Sequence, residues 1–369
     1  MKKRKNVIIS SEFPPFPGGI GNHAFSLALE MNKNNRDVKV ITDIRGDNAK
    51  YELDFDSKLT FEVKRILKYK LRLFIYFTRI YYAFIELCSL ETKTFILSGK
   101  FSLWIGGIMK MISSKHKYIA IVHGSEINAG GTIAKKYTSW CLSRFTHVIA
   151  VSNFTKELIL EKKSIEVKVI NNGFLPIVAK KIVKKSLMEL GYLNIITVGN
   201  VTFRKGQNNV IAALPQIKMI FPNIHYHIVG IPTEKDKFEK LATQLNVRDN
   251  VTFYGTINNE ELNELLIQSD VFFMLSNVLN NGDVEGFGIA VLEANACGVP
   301  AIGSMHSGIA DAIKNNYSGK LVNPKSQVEI VASLKDIVEN YGDYSLNATK
   351  WSKEFTWDII IKKYFEIID

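Results

Sequence analysis

Short runs of apolar, mostly β-branched residues recur along this chain in two consecutive sets, and no other feature limits its possible folds as tightly. The first set is Asn6 to Ser10, Val38 to Thr42, Thr94 to Ser98, Tyr118 to Val122, His147 to Val151 and Val167 to Ile170. The second is Asn194 to Val198, Tyr226 to Val229, Val251 to Tyr254, Val271 to Leu275, Pro300 to Gly303 and Lys320 to Val322. Runs that are apolar throughout, rather than alternating, are strands buried on both faces, and the stretches between them are long enough for crossover helices. The expected architecture is therefore α/β, two doubly wound parallel sheets in succession. A lysine-rich stretch, Ala179 to Leu187, follows Pro176 and has no strand pattern, which puts an interdomain linker at about 174–190. The expected domains are 1–175 and 190–350, with 351–369 returning to the first.

Composition agrees with that size. The chain has 369 residues, of which 46% are hydrophobic and 22% charged, so it can bury two cores and is neither disordered nor fibrous. No apolar run reaches the ~18 uncharged residues needed to cross a bilayer, and Met1 to Ser10 lacks the apolar stretch of a signal peptide, so a cytoplasmic protein is expected. Cys88, Cys141 and Cys297 are scattered and are read as buried thiols, not as a disulfide or metal framework. The net charge of +11 is unevenly spread: up to Lys185 there are 32 Lys and Arg against 15 Asp and Glu, and beyond it the balance is acidic. A basic first half suits an anionic partner such as a membrane surface. The acidic second half, with no aromatic platform for bases, argues against nucleic acid.

Within the first half, Lys64 to Leu90 interleaves Lys64, Arg65, Lys68, Lys70, Arg72 and Arg79 with leucine, phenylalanine and tyrosine. It is read either as helix packed on the first sheet or as a segment lying in a membrane interface.

Open parallel sheets bind ligands outside the carboxyl ends of their strands, so the loops after strands are where chemistry is expected. The strongest signal there is Asn281 to Gly303. Glu285 precedes a helix expected over 289–296, Glu293 lies on its second turn, and Gly286 and Gly288 allow close approach of a ligand to the backbone. The amides of Gly286, Phe287, Gly288 and Ile289 at a helix start suit a phosphate, and two acceptor-only carboxylates suit hydroxyl-rich groups such as a sugar and a ribose. A second signal is Gly199 to Ile211, where Arg204 and Lys205 precede a helix and are placed to hold a diphosphate.

The loop Ser11 to Phe25 offers backbone donors at Gly18 and Gly19. Gly19, Gly21 and Ala24 also fit the dinucleotide fingerprint, with Asp43 at the end of the second strand, which would make the protein an NAD-dependent oxidoreductase. Eight residues, three of them proline, separate Ser10 from Gly19, so the tight turn that the fingerprint needs is missing. His123 follows the strand Tyr118 to Val122 and is expected to point toward the ligand. Asp54 and Asp56 form an Asp-x-Asp pair, but in a segment read as polar loop or edge structure, and no metal site is assigned.

With these elements together the chain resembles the family-four glycosyltransferases of GT-B fold: the GGIG loop, His123, the RKGQ loop, the EGFGIAVLE segment, ACGVP and the terminal Phe355 to Ile368 all carry the likeness. It is most similar to bacterial GDP-mannose-dependent mannosyltransferases. The resemblance implies two Rossmann-like domains facing a central cleft, a final helix over Trp351 to Ile368 crossing back to the first domain, and a retaining, metal-independent hexosyltransferase with no cofactor beyond its nucleotide-sugar donor, GDP-mannose favoured. It implies that Glu285 holds the sugar's hydroxyls, Glu293 the ribose, Lys205 with Arg204 the leaving diphosphate, and Gly18, Gly19, Gly286, Phe287, Gly288 and Ile289 further donors, while His123 contacts the sugar ring. The family usually has arginine just after the first strand of the second domain; here Asn200 stands there. With the basic first half as a docking face, the expected acceptor is a lipid-linked or other cell-envelope glycan, such as a lipopolysaccharide, at the inner face of the cytoplasmic membrane. A nucleotide-sugar epimerase of the same fold is the alternative within this architecture.

Overall fold

The computed structural model describes residues 5–68, 72–175, 192–279 and 282–369. The expected linker lies, from residue 176 on, outside the described residues, as do Lys70 and Asn281. The chain divides into two compact units, Met1–Gly173 with Trp357–Asp369, and Phe174–Thr356.

The first unit is built on seven strands: β1 Lys5–Ser10, β2 Val38–Asp43, β3 Glu62–Ile66, β4 Lys93–Ser98, β5 Lys117–Val122, β6 His147–Ala150 and β7 Val167–Val169. All pairings are parallel, in the order β3-β2-β1-β4-β5-β6-β7. On one face Val7, Ile9, Phe95, Leu97, Tyr118 and Val122 form a continuous core. Their neighbours Ile8, Ile96 and Ile119 are equally buried on the other face. Burial on both faces is why these strands read as unbroken apolar runs. The second unit repeats the plan with six strands: β8 Tyr192–Val198, β9 Asn223–Val229, β10 Val251–Gly255, β11 Val271–Met274, β12 Ala301–Ser304 and β13 Gly319–Val322. Its order is β10-β9-β8-β11-β12-β13, again all parallel, around Ile195, Tyr226, Ile228, Phe273 and Ile302. In each sheet the chain order reverses once, between β1 and β4 in the first and between β8 and β11 in the second.

The structure departs from the sequence reading at four places. β3 was not expected: Glu62–Ile66 pairs only with β2 at the sheet edge, where a strand needs less apolar surface. The segment read as polar loop is the helix Lys50–Asp56, and two of its acids, Glu52 and Asp56, serve the fold while Asp54 is exposed. Glu52, fully buried, accepts from the Arg45 and Gly46 amides and pairs with Arg65, which also binds Asp56 and the Pro14 carbonyl. The helix expected over Trp351 to Ile368 is interrupted. Tyr341–Lys353 ends in the second unit, where the Trp351 indole donates to the Ala312 carbonyl, and Trp357–Ile368 is the segment that packs on the first unit. Phe355, buried between them against Trp351 and Phe287, anchors the break. Finally, Cys141 is buried as expected, but Cys88 is exposed and Cys297 half-buried. The segment from Lys64 to Leu90 comprises the end of β3 and the helix Arg72–Leu87.

Candidate functional site

In the second unit the loops leaving β8 and β11 emerge side by side at the point where the strand order reverses, the place in an open sheet where a ligand fits between diverging loops. The loop after β8 closes with Lys205 and Gly206 amides donating to the Thr202 carbonyl, and then becomes the helix Gln207–Ile220. Gly206 is left-handed, at φ 79°, and a Cβ there would overlap the Leu275 carbonyl, so this turn tucks against the end of β11 only as glycine. Gln207, fully buried, ties the turn together by donating to the Asn200 carbonyl and accepting from the Thr202 amide. The two loops are also bonded to each other: the Asn277 amide donates to the Arg204 carbonyl, and Asn209 donates to both the Leu275 carbonyl and the Asn277 side chain.

This framework presents Arg204 and Lys205 to the β11 loop. Lys205 Nζ lies 2.8 Å from Glu285 Oε2, the Arg204 guanidinium donates to the same oxygen, and Arg204 Nε lies 3.2 Å from Asp283 Oδ2. Glu285 is only 14% exposed. Burial alone would raise its pKa, but Lys205 and Arg204 outweigh that and hold it below the usual carboxylate range. Glu285 is fixed from behind, because its carbonyl accepts from the Gly308 amide and a Cβ on Gly308 would overlap the Gly286 carbonyl. Val284 and Phe287, both buried, pin the loop on either side. The helix Ile289–Ala296 then starts at Gly288, which has no side chain to cap it, and no side-chain cap of this start is seen among the described residues. Glu293 on this helix is half-buried, and burial raises its pKa, with Lys205 opposing only in part. Asn200 is exposed, its carbonyl held by Gln207.

The first unit has its own cluster at the carboxyl ends of β4 and β5. His123 Nε2 lies 2.9 Å from Ser98 Oγ, and both Glu126 oxygens accept from the His123 amide at 3.1 and 3.3 Å. Burial lowers the His123 pKa to about 4 and raises that of Glu126 to about 7. The ring of His23 lies 5.1 Å from His123, and His23 Nε2 meets the Tyr364 hydroxyl at 2.9 Å, which ties the last helix to this cluster. Gly18 sits just before the helix Gly19–Lys33, beside the Glu12 carboxylate, and Gly19 is exposed with open space around its Cα. Asp43, the acid of the dinucleotide fingerprint, is bound to Arg79.

The structure thus brings Arg204, Lys205 and Glu285 together, with Gly286, Gly288 and Ile289 on the same loop and helix start. It places His123, Gly18 and Gly19 in the first unit. Three participants were missed in the sequence. Asp283 lies in the segment Asn281 to Gly303 but was given no role, Gln207 stands two residues after Lys205, and Glu126 stands three residues after His123, a spacing at which a carboxylate reaches back to a preceding amide.

Residues 17–174 match the family described as Glycosyltransferase Family 4, and residues 178–354 that described as Glycosyl transferases group 1. An uncharacterized glycosyltransferase of Methanocaldococcus jannaschii is 28% identical over 97% of this chain and 96% of its own. A GDP-mannose-dependent alpha-(1-6)-phosphatidylinositol monomannoside mannosyltransferase of Mycolicibacterium smegmatis is 31% identical over 39% of this chain and 38% of its own. A putative colanic acid biosynthesis glycosyltransferase of Escherichia coli is 33% identical over 38% of this chain and 34% of its own. Among solved structures, Anabaena HepE in complex with UDP and glucose superposes with a TM-score of 0.77 at 18% identity, covering 99% of both chains. WaaG, a glycosyltransferase involved in lipopolysaccharide biosynthesis, gives 0.68 at 18% identity over 98% of this chain and 99% of its own.

Proposed function

We propose, from the premise that this chain belongs to the glycosyltransferases of Family 4 and group 1, that it moves a hexose from a nucleotide-diphosphate sugar to a glycan or lipid-linked acceptor of the cell envelope, with retention at the anomeric carbon. The observation that carries the reading is the convergence of Arg204 and Lys205 on Glu285 where the second sheet reverses its order, beside an uncapped helix start. Two cations and free amides at one point suit a diphosphate, and a carboxylate kept ionised among them suits sugar hydroxyls.

In this reading the bond between the anomeric carbon and the diphosphate oxygen breaks as the acceptor oxygen bonds to that carbon from the same face. The acceptor's proton passes to the departing diphosphate. Negative charge grows on the phosphate oxygens, and Lys205 and Arg204, already positioned, lower the barrier there without reorganising. Glu285 holds the transferred sugar and Glu293 the ribose; the acceptor is assigned to the first unit. Charge neutralisation by side chains makes the transfer independent of metal, so full turnover in the presence of a chelator is expected, and its loss would refute that part. Mannose and GDP are favoured by the local likeness to the mannosyltransferase, while the HepE complex with UDP and glucose names the competing donor. The reading places the enzyme in the cytoplasm, at the inner face of the membrane.

The deciding experiment is thermal unfolding against a panel of nucleotide sugars, with NADH as the contrasting ligand, followed by determination of the product's anomeric configuration. Stabilisation by GDP-mannose and an α-linked product from an α-linked donor are expected. Stabilisation by NADH and by no nucleotide sugar would overturn the assignment.

A further inference from the structure

The helix Arg72–Leu87 in the first unit is amphipathic in the reverse of the usual sense. Two of its charged side chains, Arg79 and Glu86, turn inward and are neutralised there: Arg79 binds Asp43 at the end of β2, and Glu86 is buried against Lys39 and Lys93. Burial lowers the Arg79 pKa to about 10, a measure of how far that charge is withdrawn from water. The outward face is apolar. Phe74, Phe77, Ile80, Tyr81, Phe84 and Ile85 are each between 45% and 61% exposed. At helical spacing they form one stripe about 17 Å long with no charged residue on it. Leu67 before the helix and Leu90 after it extend the apolar surface, Leu90 being 98% exposed. An uncharged aromatic strip of this extent on a surface marks a place where something docks.

We propose that this strip lies in the interface of an anionic bilayer. The charge around it selects that occupant. Lys68 is exposed at one end of the helix and Lys115 at the other, where its Nζ reaches the Ser89 carbonyl, and the residues up to Lys185 carry the excess of cations described above. Phenyl and phenol rings on one side and lysines at the margins match the acyl boundary and the phosphate layer of a lipid surface. The acids close by are engaged or outside the strip: Asp47 pairs with Lys68, and Glu91 follows Leu90. Among the described residues no helix is long and apolar enough to cross a membrane, and this one lies along the surface. The inference gives the transferase reading a physical route to a lipid-linked acceptor, but it stands on the helix alone.

The test is flotation of the full chain with vesicles of phosphatidylcholine, alone or mixed with phosphatidylglycerol. Binding to the anionic vesicles is expected. The double variant Phe77→Ser/Phe84→Ser should lower the bound fraction at least ~tenfold. Lys115→Ser should lower it about fivefold, and raised salt should act in the same direction. Both variants alter exposed side chains, and an unchanged unfolding midpoint verifies that they fold. The proposal is overturned if the wild-type chain ignores both vesicle types, if the double variant floats as well as the wild type, or if sedimentation without lipid shows a dimer that the double variant dissolves, which would give the strip to a second copy of the chain. Flotation reads no turnover, so a chain that binds vesicles but transfers no sugar refutes the transferase reading and leaves the docking surface standing.

Discussion

At the carboxyl ends of β8 and β11, Arg204, Lys205, Asp283 and Glu285 meet within ion-pair reach, whereas at the ends of β4 and β5 an imidazole meets a serine hydroxyl and a carboxylate meets backbone amides. Glu285, Glu126 and His123 are each largely withdrawn from water at the carboxyl ends of neighbouring strands in sheets of like order, the β4 and β5 pair lying one strand beyond the point where the first sheet reverses. Their ionisation nevertheless goes opposite ways. Glu285 is kept charged because two cations offset its burial, while Glu126, with amide donors but no adjacent cation strong enough to offset its burial, is pushed up to about 7 and His123 is pushed down to about 4. The same fold thus makes one pole that stays charged and one whose charge is near balance, and the difference lies in the partners rather than in burial.

The largest test removes the carboxylate at the charged pole. Glu285→Ala is expected to lower transfer about a thousandfold, since it deletes the proposed sugar contact, takes the ion-pair partner from Lys205 and leaves Arg204 with Asp283 alone. Steady-state turnover with the identified donor measures it; near-normal turnover would end the claim that the charged pole is the reacting one.

The neutral pole is tested by pH. The folded state raises the Glu126 pKa above its unfolded value, so between about 4.5 and 7 the unfolded chain binds fewer protons and stability falls as pH rises. His123 has the opposite shift: from about 6.5 down to about 4 the unfolded chain binds more protons and stability falls as pH drops. The two slopes oppose each other over the shared window. Glu126→Gln removes one of them, so relative to the wild type it should gain up to about 3 kcal/mol as pH rises from 4.5 to 7. Unfolding midpoints across that range measure the difference; parallel profiles would show that Glu126 titrates normally in the fold.

Separating the two cations sharpens the contrast further. Lys205→Ala should cost about a hundredfold in turnover and Arg204→Ala about tenfold, because Lys205 acts on both Glu285 and Glu293 whereas Arg204 is shared with Asp283. Equal losses would mean that the two act as one undivided charge. The smallest effect is expected at the neutral pole's support. Tyr364→Phe takes the partner from buried His23 Nε2 and should cost about 1 kcal/mol of stability with turnover little changed, as urea unfolding and a rate assay would show.

The strands were legible wherever both faces are buried, and so was the helix Ile289–Ala296, because a glycine start followed by an apolar run is a local signal. β3 was not, since at the edge of its sheet Glu62 and Lys64 can sit in a strand without cost. The helix Lys50–Asp56 resembled a loop because the partner of Glu52 and Asp56, Arg65, stands on a different element. The basic loop and the acidic loop were each found and expected around one donor, but that they would bind each other directly was not visible, as Arg204 and Glu285 are 81 residues apart.

Local composition was enough to specify two parallel sheets and the loops that follow their strands, because burial of a strand on both faces leaves its mark on consecutive residues. Which charges would meet, which would be neutralised, and which helix would turn its aromatic side outward were decided only when distant segments packed together. Coulomb energy and desolvation depend on distance and surroundings in space, and neither is written in the order of neighbouring residues.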